Sequence, residues 1–510
     1  MNAIHLLYVE NTISRKRGVS QQALTFCFHV QNRTYGKQVE VHWAGEDRAW
    51  QILPAAYLAP SGEGGEIWLA RTWRQSSPTA SLPGNVEFAA LYRAGGAESW
   101  CKPAPGSPYA NVRGHFTCQA DAGLRLGEGI DLLHVGCQPR LQVDQKMMSV
   151  DVALSSSVAP QEVFVEWSDD GWRTKHRTPC FYARDHWDKA QQSVARNPNQ
   201  YGAEIWTARL RIRDAYRVEY AVGCTTAAGE RWDNNRGQNY SARHADLKVL
   251  TLNLHTYQES NQDYKFSQVA RAINELDIDL ICLQEVGENW NDGQGDWNSN
   301  AAKIICERLD RKYHLHTDWA HLGFDRYREG VAILSRFPFR LTDSRYVSWS
   351  QDVYSIHARK AVLGQVDVPY FGLVNVFSTH LSWWNDGFAQ QFDALAGWAN
   401  GSHSADIAAT IICGDFNVKA GAEGYSHVIH TTDYEDQFLK QTDRKTFEGV
   451  FRKRKANWAD RLRDDGRIDY IWAKRGSRLK TTAARRLFLD HDYGRVSDHE
   501  GFMVTFEVSP

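Results

Sequence analysis

The sequence has no strong charge of either sign, no paired cysteines and no long apolar run. Its 59 basic and 61 acidic side chains leave a formal net charge of −2, so the sequence lacks the net positive charge that is typical of a nucleic-acid-binding protein. Its nine cysteines are scattered without a CxxC pair, which indicates neither a disulfide framework nor a structural zinc site. The N-terminus lacks a signal-peptide pattern, and no apolar stretch is long enough for a bilayer. We therefore expect a cytoplasmic protein with reduced thiols and no membrane partner.

Tryptophan, by contrast, is plentiful at 19 residues, and part of it belongs to an internal repeat. In each copy, short runs alternate apolar and polar residues and end at Gly, Asp or Asn, which is typical of a small antiparallel sandwich. The sequence predicts one β-sandwich module with a connector at 1–145, the connector starting near residue 103, and a second module at 146–245. Matched positions of the two copies are Trp43 and Trp167, Ile67 and Ile205, and Trp100 and Trp232.

The pattern changes after about residue 245. The strand-like run LKVLTLNLH (247–255) is followed by apolar residues at helical spacing and then by DLICLQEV (279–286), which together predict a β-α-β unit. Further apolar strand candidates alternate with helices towards the C-terminus. Residues 246–510 therefore predict an α/β domain with buried sheets.

Polar side chains follow the apolar strands of this domain, where a buried strand has no structural need for them. Each has an ordinary explanation alone: the GDFN segment forms a turn in which Asp and Asn bond their own backbone, and a lone histidine is usually structural. The complete set, in this order within one domain, favours a catalytic site instead. Its members are Asn253, Glu285, His380, Asp415, Asn417, Asp469, Asp498 and His499.

These residue types suit the hydrolysis of a phosphate ester. A hard cation neutralises the phosphoryl oxygens, and Mg²⁺ takes carboxylate oxygens and water as ligands. Histidine is the side chain whose ordinary pKa fits it to activate water near neutral pH. We therefore expect Mg²⁺ or Mn²⁺ as the cofactor.

The ordered set resembles the endonuclease/exonuclease/phosphatase superfamily over roughly residues 247–508. The resemblance implies a four-layer α/β sandwich behind the two antiparallel β-sandwich modules. It also implies a role for each polar residue. These roles are metal binding for Asn253, Glu285 and Asp498, orientation of water and phosphoryl group for Asp415 and Asn417, general base for His499 held by Asp469, and phosphate contact for His380.

Two local segments bear on the substrate, HLGFDRYREGVAILSR (321–336) and STHLSWWNDGFAQQFDAL (378–395). Both resemble the bacterial maltose 6'-phosphate phosphatases of this superfamily. Arginine and tyrosine donate hydrogen bonds to phosphate, and tryptophan offers a face to a sugar ring. Ordinary packing of a loop explains the tryptophan pair equally well. The implied substrate-binding residues are Arg326, Tyr327, Trp383 and Trp384.

The segment WDNNRGQNY (232–240) of the second module resembles the end of family 21 starch- and glycogen-binding modules. There, aromatic faces stack on sugar rings and asparagine amides bond hydroxyl groups. The alternative is a turn cluster with its two aromatic residues in the core. The first copy lacks the paired asparagines, which leaves its binding ability open. The implied glucan contacts are Trp232, Asn234, Asn235, Asn239 and Tyr240.

The sequence thus predicts a Mg²⁺-dependent phosphatase acting on a phosphate monoester of maltose, maltodextrin or an α-glucan. Starch- or glycogen-type polysaccharide is the expected partner, and nucleic acid is not. One alternative is an endonuclease or other phosphodiesterase with accessory β domains. The other is a glucan-binding protein with a secondary phosphoesterase activity.

Overall fold

The computed structural model describes residues 3–509 except 17, 35, 184–199, 214, 292 and 441–465. The chain divides into two compact units, Met1–Ala245 and Asp246–Pro510. All nine cysteines are free thiols. Within the described part of the chain, no helix is long and apolar enough to cross a membrane.

The first unit begins with a sandwich of two antiparallel sheets, ordered β10-β1-β2-β6-β5 and β4-β3-β7-β8. Strand β9 also pairs with β7. Alternation sets the two faces of each strand: in β3, Val39, Val41 and Trp43 are buried in the core, whereas Glu40 and His42 lie on the opposite face. The strands are β1 (Ile4–Lys16), β2 (Val19–Gln31), β3 (Lys37–Ala44), β4 (Gln51–Pro54), β5 (Ala56–Ser61), β6 (Gly65–Gln75), β7 (Val86–Ala94), β8 (Ala97–Cys101), β9 (Phe116–Cys118) and β10 (Gly123–Leu126).

A second sandwich follows with the sheets β11-β12-β16-β15 and β14-β13-β17-β18, with β19 paired to β17. The internal repeat is therefore a structural repeat: β3 pairs with β7 in the first copy as β13 pairs with β17 in the second. The strands are β11 (Leu132–Val135), β12 (Met147–Ser155), β13 (Glu162–Ser168), β14 (His176–Pro179), β15 (Phe181–Tyr182), β16 (Ala203–Arg211), β17 (Arg217–Thr226), β18 (Gly229–Asp233) and β19 (Tyr240–Arg243).

The segment 103–145, predicted as a connector, contributes strands to both sandwiches. Strand β9 pairs with β7 and β10 pairs with β1, so both complete the first sandwich. Strand β11 pairs with β12 and so begins the second. Short strands of three or four residues carry too little alternation to be recognised from sequence alone.

In the residues that the structure describes, the second unit contains two larger sheets and the helices α1–α4. Strand β20, helix α1 and strand β21 form the β-α-β unit that the sequence predicts, with β20 and β21 parallel. The elements are β20 (Leu247–Asn253), α1 (Gln262–Leu276), β21 (Leu280–Asn291), β22 (Gln294–Gly295), α2 (Ala301–Glu307), β23 (His314–Gly323), β24 (Tyr327–Ser335), β25 (Phe339–Tyr346), β26 (Lys360–Val368), β27 (Gly372–His380), α3 (Phe388–Gly401), β28 (Ile407–Asp415), α4 (Glu423–Thr431), β29 (Tyr434–Asp436), β30 (Asp469–Lys474), β31 (Leu479–Leu487) and β32 (Gly501–Val508).

The two sheets of this unit are ordered β23-β24-β21-β20-β32-β31 and β25-β26-β27-β28-β30-β29. Helices α1 and α2 share a core with the first sheet, and α3 and α4 share a core with the second. Buried hydrogen bonds join the sheets: Ser378 Oγ donates to Leu283 O and accepts from Gln284 Nε2, both at 3.2 Å. The facing sheets therefore hold the ends of β20, β21, β27 and β28 close together.

Candidate active site

Strand register places three of the polar residues in one row across the second sheet. His380 pairs with Asp415 where β27 and β28 run parallel, and Asp415 pairs with Asp469 where β28 and β30 run antiparallel. A row of this kind follows from the strands ending at the same sheet edge. The three side chains thus form one wall of the site.

Asn253, at the end of β20 in the other sheet, joins the two walls. Its Nδ2 donates to Glu285 Oε1 at 2.8 Å and to Asp415 Oδ2 at 3.0 Å, and its Oδ1 accepts from the backbone N–H of His255. Because a backbone N–H only donates, that bond fixes the amide with its nitrogen towards the carboxylates. Asn253 therefore orients the two carboxylates through its Nδ2, and its Oδ1 is the atom that the predicted metal-ligand role would use.

Glu285 lies at an irregularity in β21, where the register shifts between Leu283 and Val286. Its φ of 47° is in the left-handed region, which is uncommon for a residue with a side chain and marks a bulge that redirects that side chain. Burial, together with the charges of Glu329 and Asp415, raises the pKa of Glu285 to about 7. The bulge thus holds a carboxylate where few groups compensate its charge.

Asp415 and Asn417 of the GDFN segment form a turn and contribute to the site at the same time. Asp415 Oδ1 accepts from Asn417 N at 2.9 Å, while Asp415 Oδ2 remains directed to Asn253. Asn417 Nδ2 donates to Leu381 O at 2.9 Å and contacts His380 Nε2 at 3.1 Å. Burial and the neighbouring Asp469 raise the pKa of Asp415 to about 7. The turn and the catalytic interpretation of this segment are therefore compatible.

His499 has the geometry of a histidine oriented by a carboxylate. Its Nδ1 lies 2.8 Å from Asp469 Oδ2, and its Nε2 lies 3.7 Å from Asp415 Oδ2. Burial lowers the pKa of His499, but the Asp469 hydrogen bond and the charges of Asp469 and Asp415 outweigh it and raise the pKa to about 10. With Nδ1–H donated to Asp469, Nε2 is the nitrogen that faces the carboxylate cluster.

His380 is in a different state. Burial, with the positive charge of Arg359 next in importance, lowers its pKa well below the ordinary value. Its Nε2 faces the Asn417 amide, which donates, so the ring proton resides on Nδ1. The neutral ring can contact a phosphoryl group only as a dipole.

The donor set fits a divalent cation. Two buried carboxylates with raised pKa values, Glu285 and Asp415, are stabilised as anions when positive charge is supplied, and oxygen ligands suit Mg²⁺. Among the described residues, three groups place potential ligand atoms within 4.8 Å of one another. They are Glu285 with His380 and Asp415, Asp415 with Asp469 and His499, and His255 with Glu259 and Asp498.

Asp498 belongs to the third of these groups and not to that of Glu285. His255 Nδ1 lies 3.6 Å from Asp498 Oδ1 and 2.7 Å from Glu259 Oε1. The predicted ligand pair of Glu285 and Asp498 is therefore not assembled in a single group. His255 was overlooked in the sequence although it follows Asn253 in the same run, because a histidine two residues beyond a strand carries no distinctive signal.

A small cavity of about 10 Å³, room for one water molecule, lies beside His380. Its lining includes His321, Glu329 and Arg359. The Arg359 side chain is buried, and its Nε has no hydrogen-bond partner among the described residues. An unsatisfied buried guanidinium N–H is costly and suits an anionic ligand. His321 and Glu329 belong to the segment 321–336 that the sequence singled out, but neither was predicted as a site residue.

The four predicted substrate contacts differ in exposure. Arg326 is exposed, and Tyr327 is half-buried in a stack on Tyr257 with ring centroids 5.4 Å apart. Trp383 is exposed, whereas Trp384 is half-buried against Phe388 and Gly424. Packing accounts for Trp384, so only Trp383 of the pair offers a free face.

The predicted glucan contacts of the second sandwich also separate into exposed and buried residues. Tyr240 is buried with its hydroxyl donated to Asp233, and Asn235 is buried with Nδ2 donated to Pro60 O and Asn239 O. The structure therefore contradicts a glucan-contact role for these two residues. Asn239 lies in the same turn with a φ of 60°. Trp232 and Asn234 remain exposed.

Trp232 is presented on the outer face of β18. It pairs with Gly223 of β17, and a Cβ at Gly223 would lie 2.6 Å from Phe164 and 3.1 Å from Trp232. The missing side chain leaves space for both rings, which meet edge to face at 5.0 Å. Trp232 is thus held in place while 40% of it is exposed.

Two family models match the chain. Residues 250–499 match the Endonuclease/Exonuclease/phosphatase family, and residues 138–243 match the Carbohydrate/starch-binding module (family 21). The two matches lie in separate structural units. No curated protein matched the chain.

Several solved structures align with about half of the chain. One is an endonuclease/exonuclease/phosphatase family protein from Leptotrichia buccalis, at 26% identity over 51% of this chain and 99% of its own, with a TM-score of 0.43. Another is a mannosyl-6-phosphatase from Bacteroides thetaiotaomicron, at 15% identity over 51% and 99%, with a TM-score of 0.37. The human Nocturnin catalytic domain with bound sulfate aligns at 18% identity over 52% and 94%, with a TM-score of 0.39.

Proposed function

We propose that this protein is a Mg²⁺-dependent phosphatase of phosphorylated α-glucan or maltodextrin. The chain carries an endonuclease/exonuclease/phosphatase domain at 250–499 and a family 21 starch-binding module at 138–243. We infer that the two sheets and four helices of the C-terminal unit form a four-layer α/β sandwich. The match to the phosphoesterase family supports the proposed reaction class, and the match to the starch-binding module supports an α-glucan as the polymer.

The observation that carries this proposal is the presence of both functions on one chain. A phosphoesterase site acting on a soluble metabolite gains nothing from a polysaccharide tether. Tethering raises the local concentration of substrate groups carried by the same polymer without changing the active site. A phosphate ester on the polymer itself is therefore the substrate that explains both domains.

Each group of the site has a role in this reaction. Glu285, Asp415 and Asp498 are the carboxylates that would hold the cation, which when bound neutralises charge on the phosphoryl oxygens. His499, with Nδ1 held by Asp469, would be the general base at Nε2. Because the charge of Asp415 is one cause of its raised pKa, a cation held by Asp415 would lower that pKa towards the range in which the ring accepts a proton. Asn417 acts through His380, whose Nε2 its amide contacts at 3.1 Å, and so positions that ring for the phosphoryl group.

The substrate side of the site rests on the arginines and the exposed tryptophan. Arg359, buried with an unsatisfied N–H, supplies a fixed positive charge for a phosphate monoester. Trp383, which is 47% exposed, offers a face to the sugar ring. Arg326 is exposed and adds a further donor for the phosphate.

We expect phosphate release from maltose 6'-phosphate or phosphorylated glycogen to be at least ~10-fold faster than cleavage of abasic DNA, sphingomyelin or an inositol phosphate, the usual scale of discrimination by a shaped pocket. The assay measures inorganic phosphate and DNA nicking with Mg²⁺ under one set of conditions. Efficient nicking of plasmid DNA, with no phosphate released from the sugar ester, would establish the nuclease alternative instead.

Replacing Trp232 by alanine is expected to weaken retention on glycogen about two- to tenfold, since one stacked ring contributes roughly 0.5–1.5 kcal/mol. Phosphate release from maltose 6'-phosphate should be unchanged, because Trp232 lies outside the C-terminal unit. Affinity electrophoresis in glycogen gels measures retention. Trp73→Ala, at an exposed position of the first sandwich, is the matched control, and equal retention of both variants would contradict a glucan site at Trp232.

A further inference from the structure

The first sandwich has an open groove on the outer face of the sheet β4-β3-β7-β8. Its volume is about 290 Å³, and its floor is Ala89 of β7. Register explains the depression, because Ala89 pairs with His42, whose side chain is much larger. The walls are formed by His42, Trp50, Trp100, Lys102, Arg113 and His115.

Two tryptophans of this groove present ring surface to solvent. Trp50 and Trp100 are each 45% exposed. His115 contacts Trp50 and His42 contacts Trp100, in both cases edge to face at 5.0 Å between centroids. These contacts fix the two rings, and fixed exposed aromatic rings are suited to stack on sugar rings.

Trp100 holds the same position in its sandwich as Trp232 holds in the starch-binding module. Trp100 of β8 pairs with Leu91 of β7, and Trp232 of β18 pairs with Gly223 of β17. In the repeat, Leu91 corresponds to Gly223, so the two pairings are equivalent. The family 21 match begins at residue 138 and so does not include the first sandwich. That sandwich nevertheless has an exposed tryptophan ring at the equivalent position.

The equivalent faces of the two sandwiches differ in charge. Where the first sandwich has His42, the second has Glu166, which pairs with Lys175 at 2.6 Å. Residues lining the first groove include Lys102 and Arg113, and the carboxylates that adjoin it, Glu40 and Glu87, contact His42 and His115 at 3.4 Å each. Arg113 is paired with Glu87 at 3.2 Å, whereas Lys102 lies over the Trp100 ring at 5.3 Å. Cationic side chains beside exposed tryptophans favour a saccharide that carries negative charge.

We propose that this groove binds a phosphate-bearing segment of α-glucan, with sugar rings on Trp50 and Trp100 and the phosphate near Lys102 and Arg113. The identity of the polymer rests on the proposed function. The second sandwich then retains the polymer in general, and the first selects its phosphorylated stretches. Such a division presents the enzyme with the regions of polymer that contain its substrate.

The test compares binding of the full chain to phosphorylated amylopectin and to phosphate-free glycogen, by affinity electrophoresis with EDTA present so that no turnover occurs. All variants carry Trp232→Ala to remove the second site, and circular dichroism verifies their fold. Trp100→Ala should weaken binding to phosphorylated amylopectin about two- to tenfold. Lys102→Gln should weaken it about two- to fivefold, as for an exposed ion pair, and leave glycogen binding unchanged.

Matched controls are Trp73→Ala for the ring and Arg33→Gln for the charge, both exposed positions of the same sandwich outside the groove. Equal binding by Trp100→Ala and Trp73→Ala would overturn the proposal. A Lys102→Gln loss of the same size on both polymers would overturn the phosphate preference, and displacement of the polymer by a DNA oligonucleotide would replace the saccharide with nucleic acid. If Trp232→Ala weakens glycogen binding while Trp100→Ala and Trp73→Ala bind phosphorylated amylopectin equally, the proposed function stands and only this inference fails.

Discussion

Replacing Glu285 by glutamine is expected to lower kcat for phosphate release by at least about 10²-fold. The variant keeps an oxygen for the Asn253 amide, which donates to Glu285 Oε1 at 2.8 Å, and removes only the charge. Cation-mediated stabilisation of the transition state amounts to several kcal/mol, and each 1.36 kcal/mol is a factor of ten in rate. Steady-state phosphate release over a range of Mg²⁺ concentrations measures the effect.

Two further measurements make the Glu285 prediction specific. Calorimetric titration with Mg²⁺ should show weaker binding to Glu285→Gln than to the wild type, because a carboxylate ligand has been lost. Glu307→Gln, at an exposed position of α2, is the matched control and should leave both quantities unchanged. Wild-type Mg²⁺ affinity in Glu285→Gln would place the cation elsewhere.

The second large effect is expected at His499, where alanine should reduce kcat by about 10²–10⁴-fold, the usual contribution of a general base. Retention on glycogen should be unaffected, because His499 lies in the C-terminal unit and the starch-binding match ends at residue 243. Turnover is measured with maltose 6'-phosphate at neutral pH. Near-full activity of His499→Ala would assign the base to another group.

Asp469→Asn separates orientation from proton transfer at the same site. Asp469 Oδ2 lies 2.8 Å from His499 Nδ1, so the amide either donates to that nitrogen or leaves it free and thus disturbs the tautomer. We expect kcat to fall while KM stays within about twofold, since the interaction is needed only as the proton moves. A rise in KM with kcat unchanged would make Asp469 a substrate-binding residue instead.

The residues of the candidate site were identifiable in the sequence because they interrupt a strong pattern. Asn253, His380 and Asp415 end apolar strands, and Glu285 interrupts one. Polar residues at such points are unexpected in a buried sheet. What each side chain does was harder to predict. The bridging of Glu285 and Asp415 by Asn253 was not predicted, because its amide orientation depends on the backbone N–H of His255, a contact that composition and spacing do not encode.

Some residues of the candidate site were not predicted from the sequence. Glu329 and His321 lie on adjacent strands, 3.3 Å apart between Oε1 and Nε2, and reach the cavity beside His380 only through the pairing of β23 with β24. The groove of the first sandwich was missed for a similar reason. Its tryptophans come from a loop before β4 and from β8, which are brought together only by the fold. The first copy of the repeat also lacks the paired asparagines of the second.

The sequence by itself determined the order of domains, the repeat of the sandwiches and the set of polar residues at strand ends, because alternation and strand-terminal composition are local properties of a chain. Only the tertiary structure decided which of those residues meet. Tyr240 and Asn235 are buried while Trp232 is exposed, and Asp498 lies in one group with His255 and Glu259. Exposure, side-chain orientation and distance depend on contacts between segments far apart in sequence, and no local pattern records them.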